Sequence, residues 1–289
     1  LGSALLKRLQ KQRFPVRVVT RGSGDWRNSP VIKLKQMGID VLVGDIVNPE
    51  ILKRAVVDCT AIINVAGTMA FSRKDDTNAV NIEAVKVLAE EAQARGIQRF
   101  IHTSCLGASA NSSCEYFRQK AAADEIIKSC RFYWTIFRPS YMFGESFPFL
   151  QLLMPVVKIK PVIPVVGSGL NRIQPVCVDD VADAILQSIY NRNTVGHVYE
   201  LGGPKVFSLI EFIELVKAHK GIKTQLVHVP TDRAEATVKL IGKVMSGVSA
   251  DFVQLLTQDS MVQNQPPHEA FQLERRSLEH SLELLLARL

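Results

Sequence analysis

The chain has 289 residues, 47% hydrophobic and 22% charged, with 17 glycines and 13 prolines. It is too apolar for a disordered chain and too poor in Gly and Pro for a fibre. The net charge of +7 comes from basic residues scattered along the sequence, which argues against nucleic acid as a partner while permitting phosphate-bearing ligands or an anionic surface.

In chain order, residues 3–12 read as a helix and 16–19 as a strand, followed by a helix that Gly38 closes and a strand at 40–43. Asn48-Pro49-Glu50 supplies an N-cap, a proline at the first helical position and an acid in the first turn, so a helix runs to about Val57. A strand at 61–65, a helix at 76–95 closed by Gly96, a strand at 99–103 and a helix at 116–129 follow. The last regular elements are a strand at 134–137, a helix at 179–190 and a strand at 197–201. Several strands are apolar at consecutive positions, as expected when helices cover both faces of a sheet. The alternation predicts an α/β fold: a doubly wound parallel Rossmann sheet with a smaller C-terminal α/β lobe. The expected boundaries are 1–145 for the dinucleotide-binding domain and 146–289 for the lobe, with about 174–201 returning to the sheet.

Within the second part, residues 147–167 are the most apolar stretch, but they contain Lys158, Lys160 and four prolines, so a transmembrane segment is not expected. The stretch reads either as a pocket for a hydrophobic small-molecule substrate or as the lobe's own core. Near the end, Leu278, Leu282, Leu285 and Leu289 share one helical face, expected to dock on the protein itself, with a partner or membrane helix as the alternative. Five cysteines (Cys59, Cys105, Cys114, Cys130, Cys177) without a C-x-x-C pair argue against a disulfide framework or zinc site and fit a reducing, cytoplasmic setting.

A dinucleotide-binding fold should place a strand and a glycine-rich turn before the first helix. Gly2 would then be the last glycine of that turn, and a strand is expected upstream of Leu1, between two neighbours in the usual order. Arg21, at the end of a strand, is placed to pair with the 2′-phosphate of NADP(H), with Arg27 as a helper; the alternative is a solvated loop arginine. Asp45 either meets the adenine edge or caps the turn into Asn48. Asn64-Val65-Ala66-Gly67 ends its strand in small residues, which allow a flat ligand close to the backbone.

Tyr116 and Lys120 form the main catalytic candidate. Their spacing stacks them on one helical face, where the ammonium should lower the phenol pKa and fit it for proton transfer to a carbonyl. Ser104 would hold a substrate carbonyl. Cys105 is a weak donor for that task and lacks an evident base, since His102 should point to the other side of the strand.

Leu1-Gly2-Ser3-Ala4-Leu5, Gly44-Asp45-Ile46, Arg99 through Ser104 and Tyr116-Phe117-Arg118-Gln119-Lys120-Ala121 together resemble the short-chain dehydrogenase/reductase superfamily. Arg138-Pro139-Ser140-Tyr141-Met142-Phe143-Gly144, Gln174 through Ala182 and Tyr199-Glu200-Leu201-Gly202-Gly203-Pro204 extend the likeness over nearly the whole chain. It is to the atypical members, in particular the group similar to the NADPH-binding accessory subunit of respiratory complex I. The resemblance implies that Gly2, Arg21, Asp45, Ala66, Gly67, Tyr116, Lys120 and Pro139 line the cofactor, with NADP(H) preferred and NAD(H) possible. It also implies that Tyr116 and Lys120 are the acid/base pair, while the superfamily's catalytic Ser/Thr falls on Cys105, with Ser104 one position earlier and on the opposite face of the strand.

Two functions follow as expectations. One is an NADP-dependent oxidoreductase or epimerase-like enzyme on a carbonyl or alcohol. The other is a non-catalytic NAD(P)H-binding assembly or redox-sensing protein of a respiratory or quinone-biosynthesis complex. The expected location is the cytoplasm, peripheral at the inner membrane in the complex-bound case, or the mitochondrial matrix in a eukaryote.

Overall fold

The computed structural model describes residues 1–22, 30–68, 76–145, 147–158, 162–230, 257–263 and 270–287. Arg27, Leu289 and part of the 147–167 stretch (159–161) lie outside them. In chain order the elements are α1 (Gly2–Lys11), β1 (Arg17–Thr20), α2 (Pro30–Gln36), β2 (Asp40–Val43), α3 (Pro49–Ala55) and β3 (Ala61–Asn64). Next come α4 (Ala84–Ala94), β4 (Arg99–Thr103), α5 (Glu115–Lys128), β5 (Tyr133–Pro139), β6 (Met142–Phe143), α6 (Pro148–Val157) and β7 (Val162–Val166). The chain continues through β8 (Arg172–Ile173), β9 (Val176–Cys177), α7 (Val178–Ser188), β10 (His197–Leu201), β11 (Phe207–Ser208), α8 (Leu209–Lys220), β12 (Gln225–Val229) and α9 (Leu278–Ala287).

Parallel strands in the order β10-β5-β4-β3 make the main sheet, and β1 and β2 make a second parallel pair. The sequence reading puts one more strand between these two groups; none of the described residues occupies that place. Neighbouring residues on β4 and β5 point to opposite faces, which accounts for the unbroken apolar runs. Ile101 and Phe137 pack with Leu5 and Leu9 of α1 and with Val181 and Ile185 of α7. Phe100 and Ile136 pack with Val85 and Ala89 of α4 and with Ala123 and Ile127 of α5.

The helix signals work as their chemistry requires. Asn48 Oδ1 accepts the Glu50 amide, with Pro49 at the first helical position, and Gly38 and Gly96 adopt positive φ where their helices stop. The helix expected over 76–95 begins with a five-residue π-helical turn, Ala79–Glu83, before α4. Such turns carry one extra residue per loop and commonly mark functional positions.

The 147–167 stretch splits into α6, which starts on Pro148, and β7. Phe147, Leu150, Leu153 and Ile163 join Phe212 and Val216 of α8 and Leu278, Leu282 and Leu285 of α9 in one apolar cluster. The leucine face of α9 therefore docks on its own protein. No helix among the described residues is long and apolar enough to cross a membrane. The sequence reading missed α8, although its Ser208/Glu211 capping box and the left-handed Gly221 at its end are legible signals. Gly203, in the Gly-Gly-Pro motif after β10, passes so close to the Pro175 carbonyl that any Cβ would collide with it.

Candidate active site

The carboxyl ends of β4 and β5 and the amino ends of α1, α5 and α6 enclose a cavity of about 400 Å³. Its wall includes Ser104, Cys105, Tyr116 and Pro139, together with Leu1 and Ser3 at the start of α1. Helix α5 starts at Glu115, so Tyr116 lies in its first turn, and Lys120 lies one turn on, on the same face. Past the end of β4 at Thr103 the strict strand alternation ceases, so Ser104 and Cys105 both reach the cavity. This corrects the expectation that they lie on opposite faces.

The protonation chemistry also differs from expectation. Burial, followed by the Cys105 sulfur, pushes the Tyr116 phenol well above its ordinary value. Lys120 Nζ is buried and donates to the Thr103 carbonyl at 2.8 Å, and desolvation lowers its own pKa. In this arrangement Tyr116 is held protonated, donating its O–H to Cys105. Burial likewise raises the Cys105 thiol to about 12, so Cys105 is a neutral thiol rather than a thiolate nucleophile.

Behind the wall runs a buried polar chain that sequence reasoning did not foresee. The Ala66 amide donates to Asn64 Oδ1 at 3.1 Å, which turns Asn64 Nδ2 toward His102 Nδ1 at 3.2 Å. Nδ1 is therefore the acceptor and Nε2 carries the proton, an assignment made from these hydrogen bonds. His102 Nε2 lies 3.9 Å from Asp124 Oδ1, and neither atom has another partner. Asp124 Oδ2 accepts from Ser104 Oγ at 3.1 Å and from Arg138 Nε and Nη2 at 3.0 and 2.7 Å. Ser104 thus spends its hydrogen on Asp124 and meets the cavity as an acceptor, not as the donor expected for a substrate carbonyl.

Burial, and secondarily Lys120, drive the His102 pKa well below its usual value, which gives a stability prediction with a definite sign. The unfolded histidine takes a proton below about pH 6.5 while the folded one stays neutral, so stability falls as pH drops below that point. The slope is about 1.4 kcal/mol per pH unit. Burial raises Asp124, whose contribution runs the opposite way and is lost as pH rises through its folded value. The histidine part is therefore read as the difference between wild type and His102→Gln in denaturant titrations from pH 7 to 5. The two curves should converge on acidification; parallel curves would refute a buried neutral His102.

Residues 1–148 match the NAD(P)H-binding family. The chain is a member of it. It is 34% identical over 224 residues to the mitochondrial NADH dehydrogenase (ubiquinone) 1 alpha subcomplex subunit 9 of Arabidopsis thaliana, covering 75% of this chain and 54% of that protein. To the mitochondrial NADH-ubiquinone oxidoreductase 40 kDa subunit of Neurospora crassa it is 28% identical, covering 91% of this chain and 69% of the relative. The chain thus spans about half to two thirds of these relatives' length. The UDP-glucose 4-epimerase of Thermotoga maritima, solved with UDP-glucose, shares the fold with a TM-score of 0.71 at 17% identity, covering 99% and 94% of the two chains.

For a member of this family, the residues present fit a nicotinamide cofactor. A Cβ on Gly67 would stand 3.5 Å from Lys120 Nζ and 3.7 Å from Asn81 Oδ1, so the small residue keeps the approach to both groups open. Asn81, in the π-helical turn, is 1% exposed, accepts from the Thr68 amide and donates to the Thr68 carbonyl and to Gln119. It ties the loop after β3 to α5, and nothing in the sequence reading singled it out. Gly2 opens α1 beside Val65, and among the described residues no side-chain hydrogen bond caps that helix end; first-turn amides of this kind suit an anion. Arg21 is exposed just past β1. Asp45 uses Oδ1 to accept the Val47 amide at 3.2 Å, the turn-capping alternative. Arg21, Asp45 and Ala66 are not part of the cavity wall; they follow the ends of β1, β2 and β3.

Proposed function

We propose that this chain is an NADP(H)-preferring oxidoreductase acting on a carbonyl or alcohol, with Tyr116 moving the proton. The observation that carries the reading is a neutral, half-buried phenol on the wall of a cavity that reaches the start of α1, with Lys120 one turn behind it beside Gly67. Gly2, Arg21, Asp45, Ala66, Gly67 and Pro139 would hold the cofactor along the strand ends. The bound cofactor supplies or accepts a hydride. Tyr116 donates its proton to the carbonyl oxygen as negative charge develops there, and takes one back in the reverse direction. Lys120 holds positive charge near the phenolate that remains. With Ser104 turned to Asp124, and Cys105 a poor donor, the phenol carries most of the hydrogen bonding to substrate. The lobe built on α6, β7, α8 and α9 closes the substrate side.

A specific observation favours a second reading, that of a non-catalytic NAD(P)H-binding component of a respiratory or quinone-biosynthesis complex. The curated relatives above are complex I subunits, and Cys105 stands where the superfamily places a hydroxyl. Such a role would put the chain beside the inner membrane of a mitochondrion or bacterium.

Titration of the full chain with NADPH and NADH by fluorescence, followed by NADPH consumption with carbonyl substrates, tests the first reading. Arg21→Ala should weaken NADPH roughly 10- to 100-fold through lost charge-assisted hydrogen bonds to the 2′-phosphate, leaving NADH unchanged. An equal loss for both cofactors would remove Arg21 from the 2′-phosphate.

A further inference from the structure

We propose that the substrate here is an uncharged carbonyl compound with an apolar tail, and that nucleotide sugars are excluded. The proposal rests on the oxidoreductase reading for its carbonyl and on the cavity wall for its tail. Beyond Tyr116 the apolar part of the wall includes Leu106, Phe117, Tyr141, Met142, Pro148 and Phe149. The Tyr141 and Phe149 rings stack with centroids 4.3 Å apart, giving a flat aromatic face, and burial keeps the Tyr141 phenol uncharged.

The charges in the wall point the same way. Among the described residues it contains one cationic side chain, Lys7, and two carboxylates, Glu145 and Asp179. Lys7 Nζ is 2.6 Å from Glu145 Oε1, and Asp179 accepts from Arg8 Nη1 at 2.8 Å. A diphosphate needs cations and aligned donors, whereas here the one cationic side chain is already paired and two carboxylates face the space. An alkyl or isoprenoid-like chain finds the apolar part of the wall and brings no charge of its own to desolvate. In the reduction, hydride passes from NADPH to the carbonyl carbon and the Tyr116 proton to the oxygen, giving the alcohol and NADP⁺.

The full chain saturated with NADPH is tested against straight-chain 2-alkanones from 2-butanone to 2-dodecanone and against UDP-glucose, with binding read by calorimetry and turnover by NADPH consumption. Affinity should rise about fourfold per added methylene until the cavity is filled, and UDP-glucose should not bind. Met142→Lys, at a half-buried position, should flatten that dependence; Phe149→Ser gives a second, larger reduction of apolar wall if it keeps its thermal transition. Chain-length-dependent binding without NADPH consumption would uphold the substrate class and sink the oxidoreductase reading. Turnover indifferent to chain length, UDP-glucose binding tighter than 2-dodecanone, or no binding of any alkanone would overturn the proposal.

Discussion

Tyr116→Phe is expected to lower kcat by about 10²- to 10⁴-fold, the range for losing a positioned general acid, while NADPH affinity changes little. The phenylalanine keeps the ring, its packing beside Phe117 at 5.9 Å between centroids, and the start of α5. It removes only the O–H. That group has two tasks in the apo protein and in turnover: it donates to the weakly accepting Cys105 sulfur, then to the substrate oxygen. The first is cheap to lose, because a thiol is a poor acceptor; the second is where charge develops and a missing donor costs most. Stopped-flow reduction of a carbonyl by wild type and variant, beside a fluorescence titration of NADPH, separates the two. Unchanged turnover would assign the proton to another group and favour the binding-protein reading, in which the variant also supports the parent complex normally.

The fold was legible because its cues are local and redundant. Consecutive apolar residues such as Phe100-Ile101 and Ile136-Phe137 signal a sheet covered on both faces, and Asn48-Pro49 and Gly96 punctuate helices wherever they occur. The C-terminal lobe was harder to read. Its strands are short, two residues in β6, β8, β9 and β11, and pair across long separations that no periodicity reveals. Tyr116 and Lys120 were visible through their spacing, but their electrostatics were not. Whether a lysine lowers a tyrosine depends on where its ammonium is hydrogen-bonded and on how deeply both are buried, and Thr103 gives no sequence sign that its carbonyl takes that ammonium. The partners of Asn81, Asn64, His102 and Asp124 were missed for a related reason: single polar residues inside apolar runs announce burial but not what they bond to. Arg138 belonged to a quoted motif, yet its role depends on a residue on another element.

Arg138→Ala should destabilise the protein by about 3–5 kcal/mol, the usual cost of stranding a buried charge. Asp124 is fully buried while Arg138 is 21% exposed, so removing the arginine leaves a carboxylate that cannot reach water and keeps only the Ser104 hydroxyl on Oδ2. At about 2–4 °C per kcal/mol for a domain of this order, the thermal midpoint should fall by roughly 6–20 °C. A purely steric account predicts the same loss at every pH. The electrostatic account does not: burial already raises Asp124 despite Arg138, and without Arg138 it rises further. Below that new value the carboxyl is protonated and neutral in the folded variant, so the deficit against wild type should shrink on acidification. The double variant Asp124→Leu/Arg138→Met, which removes both charges and keeps the volume, should be less destabilised than Arg138→Ala alone. Thermal melts of the three proteins from pH 7 to 5 check both points, and a deficit that is constant in pH and additive in the double variant would show that Arg138 acts by packing alone.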